Sequence, residues 1–105
     1  MAYLVRTLPP AEADAERIYD WVISRAPHRG PMWFNGLEAA VASLAENPQR
    51  CHRAPEAKEF DEDIRQLLYG KRHGTYRILF RIDESAKRVD ILHIRHGSQE
   101  HLRRP

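Results

Sequence analysis

Three strand-like runs fill the last third of this 105-residue chain, and each mixes arginine with apolar residues. They read Ile64-Arg65-Gln66-Leu67, Tyr76-Arg77-Ile78-Leu79-Phe80-Arg81-Ile82 and Val89-Asp90-Ile91-Leu92-His93-Ile94-Arg95-His96-Gly97. A guanidinium inside a strand costs solvation unless its side of the sheet is wet or holds an anion. Arginines on successive strands therefore predict a sheet with one working face.

The connections set the topology. Strands are expected over Ile64–Gly70, Thr75–Ile82 and Val89–Arg95, with turns at Lys71–Gly74 and Asp83–Arg88. Links this short imply an antiparallel meander. Upstream, Ala2–Leu8 reads as a short strand. Pro9-Pro10 then opens a helix, since the first turn tolerates a missing N–H. Glu12, Asp14 and Glu16 suit the positive end of its dipole. Ala11, Ala15, Ile18 and Val22 form its apolar stripe with Trp21 alongside, and it fails over Ser24–Pro27. A second helix runs from Gly30-Pro31 to Asn47-Pro48 on a stripe of Trp33, Leu37, Ala40, Val41 and Leu44. Both tryptophans are expected in the core. Residues 48–63 read as a polar surface connection with one helical turn at Glu56–Phe60. The order β-α-α-β-β-β gives an α+β fold. It forms one domain over 1–105, a helical hairpin packed on one face of a small, mainly antiparallel sheet.

Strict alternation assigns the faces. Tyr76, Ile78, Phe80 and Ile82 turn towards the helices, which leaves Arg77, Leu79 and Arg81 on the uncovered side. Arg65 joins that side if Gln66 and Leu68 point inward. In the last strand Leu92 and Ile94 suit the core, leaving Val89, Ile91, His93 and Arg95 on the open face. His93 and His96 fall on opposite faces, so they are not expected to share a metal ion.

Charge is segregated along the chain. Residues 1–63 carry 7 Lys/Arg against 11 Asp/Glu, and residues 64–105 carry 10 against 4. Such a split is a hint of an anionic partner. No apolar run approaches membrane-spanning length, and the N-terminus lacks the pattern of a signal peptide. The single cysteine, Cys51, excludes an internal disulfide and fits a reducing cytosol. It reads as an incidental loop thiol.

Taken in order, Pro10-Ala11-Glu12-Ala13-Asp14, Ile18-Tyr19-Asp20-Trp21-Val22, Leu44-Ala45-Glu46-Asn47-Pro48, Ile64-Arg65-Gln66-Leu67, Tyr76-Arg77-Ile78-Leu79-Phe80 and Ile94-Arg95-His96-Gly97 resemble the RelE/ParE superfamily of type II toxin–antitoxin toxins. The histidine-glycine pair after the last strand is closer to its ParE, or plasmid-stabilisation, side. The resemblance implies a small cytoplasmic growth inhibitor without a cofactor, silenced in a hetero-oligomer by a cognate antitoxin. Leu79, Arg81, Ile91, His93 and Arg95 would form its target- or antitoxin-binding face, with Leu79 and Ile91 as the apolar part that an antitoxin tail covers.

Three functional readings follow from the resemblance. The first is a ParE-like toxin that binds DNA gyrase and catalyses nothing. The second is a RelE-like endonuclease that cuts mRNA on the ribosome without metal. Arg77 matches the phosphate-contacting arginine of such enzymes, Arg65 is the candidate second cation, and His96 or His93 would be the acid–base group. A further arginine usual in that subfamily aligns with Gln99. The third is an inactive member that only binds its antitoxin.

Overall fold

Pro9 and Pro10 end the first strand and begin the first helix, and the rest of the architecture follows that boundary. The computed structural model describes residues 2–70 and 75–97. Strand β1 (Leu4–Thr7) leads into helix α1 (Pro9–Arg25), then α2 (Gly30–Ala42) and α3 (Glu56–Phe60). Strands β2 (Ile64–Tyr69), β3 (Tyr76–Asp83) and β4 (Arg88–His96) follow. The strands form one mixed sheet in the order β1-β4-β3-β2. β1 runs parallel to β4, and the other pairs are antiparallel. This is the expected α+β order with the helices on the sheet. The expected turn at Lys71–Gly74 lies outside the described residues.

α2 stops earlier than its stripe suggested. It ends at Ala42, and Ser43–Ala45 tightens into a 3-10 turn that buries Leu44. The Ser43 hydroxyl donates to the Ala40 carbonyl at 2.6 Å, which favours the tighter winding. Asn47 then adopts a left-handed conformation (φ 46°) and reverses the chain before Pro48.

The main core lies between helices and sheet. It gathers Ala11, Leu37 and Leu44 against Ile78, Phe80, Val89, Ile91 and Ile94. Trp33 belongs to it, edge-on to Tyr76 with ring centroids 5.3 Å apart. Trp21 does not: it is 49% exposed, and the Arg25 guanidinium stacks 4.6 Å above its ring. Cys51, expected as a loop thiol, is buried in this core, and burial pushes its pKa up against the pull of Arg50 and Arg65.

One irregularity decides the faces of β4. Leu79 pairs with His93 but Phe80 pairs with Ile91, so Leu92 is an extra residue in a β-bulge. The bulge inverts the alternation within the strand. Val89 and Ile91 therefore share the helix side with Ile94, contrary to the alternating assignment. Leu92 leaves the main core for a second apolar cluster on the opposite face. That cluster also corrects the reading of residues 48–63 as a surface connection. Ala54, Ala57 and Phe60 from this stretch cover Ile64 and Leu79.

A close approach fixes α2 on the sheet. A Cβ at Gly36 would collide with the Tyr69 hydroxyl, which donates to the Trp33 carbonyl at 2.7 Å. Alanine in place of a mid-helix glycine ordinarily gains up to about 1 kcal/mol. Here Gly36→Ala should instead destabilise by about 1–3 kcal/mol. The loss should shrink in a Tyr69→Ala background, as measured by a denaturant double-mutant cycle.

Candidate functional site

The middle of β3 places Arg77 and Leu79 on the sheet face away from α1 and α2, as alternation requires. That face is not bare there. Arg77 Nη1 and Nη2 donate to the two carboxylate oxygens of Glu56 at 3.1 and 2.5 Å, and Nε donates to Gln66 Oε1 at 3.0 Å. Arg77 is 6% exposed and Glu56 1%. α3 delivers Glu56, and its flank is laced to the sheet edge. Ala54 N–H donates to the Ile64 carbonyl at 2.8 Å, and Gln66 N–H to the His52 carbonyl at 3.0 Å. The same cover leaves Leu79 1% exposed.

Arg65 lies on the other face. Its cross-strand partner is Phe80, and Ile64, Gln66 and Leu68 take the face where it was expected. From there Arg65 Nη1 donates to the carbonyls of Gln49 (3.1 Å) and Cys51 (2.8 Å), holding the chain that leads into α3. His96 shares the helix side and meets Tyr76 edge-on, with ring centroids 5.2 Å apart. Arg65, Arg77 and His96 are thus not brought to one point. Ile91, fully buried against the helices, presents no surface to a partner.

Arg81, His93 and Arg95 do share the face away from the helices. Arg81 reaches Glu62 at 3.2 Å and Asp90 at 3.3 Å. Asp90 is fully buried and also receives Arg6 (3.1 Å) and Arg88 (2.9 Å). Burial acts to raise the Asp90 pKa, but hydrogen bonds from Arg88, Arg6 and Arg81 together overcome it and hold the carboxyl below its ordinary value. His93 is oriented by Asp14 of α1, whose Oδ2 lies 3.0 Å from Nδ1. The same oxygen accepts the Ile94 N–H at 3.0 Å. β1 ends at Thr7, opposite Ile91, so the Asp14 side chain satisfies the edge that the strand leaves open. A recess of about 170 Å³ beside His93 and Arg81 has Phe60, Leu79 and Leu92 in its wall.

A larger feature lies on the helix side, and sequence reasoning missed it. α1 and α2 part above β1 to leave a groove of about 460 Å³. Its wall and floor are apolar, with Val5, Ala15, Phe34, Leu37, Val41 and Ile94; Glu12, Glu16 and Glu38 stand at its rim. The missed signal is the small residue Ala15 on α1 opposite Phe34, Leu37 and Val41 on α2. Alanine at that position leaves the space between the two helices unfilled.

Among the described residues, no group of three or more His, Cys, Asp or Glu converges to hold a metal ion. No helix among them is long and apolar enough to cross a membrane.

The family model for the ParE toxin of type II toxin–antitoxin systems, parDE, matches residues 5–101. No curated relative matches. Solved structures that resemble the fold include two from toxin–antitoxin systems. One is a chain of the chromosomal ParDE toxin–antitoxin system of P. aeruginosa, with TM-score 0.71, 20% identity, and coverage of 90% of this chain and 96% of that one. The other comes from the RelBE2 toxin–antitoxin complex of Mycobacterium tuberculosis, with TM-score 0.55, 24% identity, and coverage of 94% and 95%.

Two outcomes follow from the paired charges. Glu56→Ala strands a buried guanidinium and should cost about 3–5 kcal/mol, whereas Glu56→Ala with Arg77→Met should recover much of that loss in denaturant melts. The second concerns acid. The Asp90 pKa is lower folded than unfolded, so its contribution is complete above the unfolded value of about 3.9. It is lost as pH falls through that value towards the depressed folded one. Asp90→Asn should therefore be less stable at neutral pH and lose less on acidification, as read by thermal melts across that range.

Proposed function

This chain belongs to the ParE toxin family of type II toxin–antitoxin systems, and we propose that it is a cytoplasmic growth inhibitor that acts by binding DNA gyrase. The observation that carries this reading is the state of Arg77. A metal-independent nuclease that relied on Arg77 would have to offer its guanidinium fork to the reacting phosphate, where charge develops. In this chain the Glu56 carboxylate fills the fork and Gln66 takes the remaining Nε–H. Arg65 and His96 lie on the opposite face of the sheet, and of the expected nuclease set only His93, the alternative acid–base group, shares the face of Arg77. That arrangement supports a protein-binding toxin over an RNA-cutting one.

The cognate antitoxin, in this reading, seats in the groove between α1 and α2. The groove is apolar, open, and larger than the recess on the sheet face. Leu79 and Ile91, expected to be its contacts, are enclosed within the chain. Arg81, His93 and Arg95 are then the residues of the earlier set that contact the target, because they share a face the antitoxin groove does not use.

Purified toxin, freed of antitoxin, should inhibit gyrase supercoiling or accumulate cleaved DNA, and antitoxin should reverse the effect. A toxin that arrests growth yet leaves gyrase untouched and cuts mRNA in a ribosome assay would replace this reading with the RelE-like one. A folded chain that binds antitoxin but does not arrest growth would identify an inactive member.

A further inference from the structure

Glu12 and Glu16 lie one helical turn apart on α1, and Glu38 stands on α2 at the rim of the same groove. All three are exposed, and none of the three carboxylates has an ion-pair or hydrogen-bond partner among the described residues. Four carboxylates elsewhere that border apolar surface are matched: Glu56 by Arg77, Glu62 by Arg81, Asp90 by three arginines and Asp14 by Arg17. The three at the rim of the groove are not. An apolar segment laid across Val5, Leu37 and Val41 would strip water from these carboxylates, which is costly unless cations replace it.

We infer that the groove selects an antitoxin segment whose apolar row is flanked by lysine or arginine, and that Glu12, Glu16 and Glu38 reject segments flanked by acids. The inference rests on the antitoxin reading of the groove and adds what decides its specificity. Complementary rim charge raises the association rate and excludes wrong partners, and it does so in a salt-dependent way.

The probes are two synthetic helical peptides that share one leucine row at i, i+3, i+4 and i+7, one flanked by lysines and one by glutamates. Fluorescence anisotropy with the intact toxin chain should show the lysine peptide binding at least roughly tenfold tighter, with the advantage falling as ionic strength rises from about 0.05 M to about 0.5 M. The triple variant Glu12→Gln, Glu16→Gln, Glu38→Gln changes only exposed positions and should remove most of the difference. Ala42→Trp, which narrows the groove from its α2 wall, should abolish binding of both peptides. Equal binding of the two peptides, or an undiminished preference in the triple variant, overturns the charge selection while leaving the groove as a seat. Lysine-peptide binding that survives Ala42→Trp, or binding by neither peptide, overturns the groove reading itself.

Discussion

The buried pair between Arg77 and Glu56 determines how the second face of the sheet is built. Neither ion can be taken from water alone without a penalty of several kcal/mol, so each requires the other. Glu56 lies on a five-residue helix that could not persist by itself. Pairing with Arg77 draws that helix over β3, where Ala57 and Phe60 close on Ile64 and Leu79. Arg65 completes the attachment from the other side of the sheet by gripping the carbonyls of Gln49 and Cys51. A stretch too polar to predict a core thus becomes a structural layer, held at both ends by strand arginines.

The same pairing accounts for much of the charge segregation. The acidic stretch at 56–63 and the arginines of β2 and β3 are partners within the chain: Glu56 with Arg77, Glu62 with Arg81, Asp63 with Arg65. Net charge by half therefore exaggerates what the surface offers to an anion. Asp90 makes a similar point inside the sheet, where one carboxylate gathers arginines from β1, β3 and β4. Several of the strand arginines that suggested an anion-binding face already hold anions of their own.

The order of elements and the helix side of β3 were legible because they rest on long apolar periodicities and on Pro9-Pro10. The β4 faces were not. A bulge shifts register by one residue and leaves no mark in a run such as Val89-Asp90-Ile91-Leu92-His93-Ile94, where either parity gives a plausible apolar face. Arg65 was misplaced for a related reason. In Ile64-Arg65-Gln66-Leu67-Leu68 both faces carry apolar residues, and it is the pairing of Arg65 with Phe80 and the packing of Ile64 under Ala57 and Phe60 that show which one α3 covers. Trp21 misled through size, since an aromatic beside a stripe can lie over a neighbouring guanidinium as readily as in the core. The groove escaped because alternation and helical stripes say which residues turn inward, not whether their volumes meet.

These distinctions bear on how a toxin fold moves between targets. A phosphate entering the fork of Arg77 would have to expel Glu56, leaving a carboxylate buried without its cation. It would gain hydrogen bonds of the kind that Glu56 already supplies, so the exchange is uphill while α3 stays in place. The position that a nuclease would use to hold its substrate is here used to hold the chain. His93 is different. Asp14 orients its ring, and the side chain is 35% exposed on a face it shares with Arg81 and Arg95. An oriented, accessible imidazole between cations is a contact that either kind of target can use. The target face is therefore better sought around His93 than around the arginine that the sequence made most conspicuous.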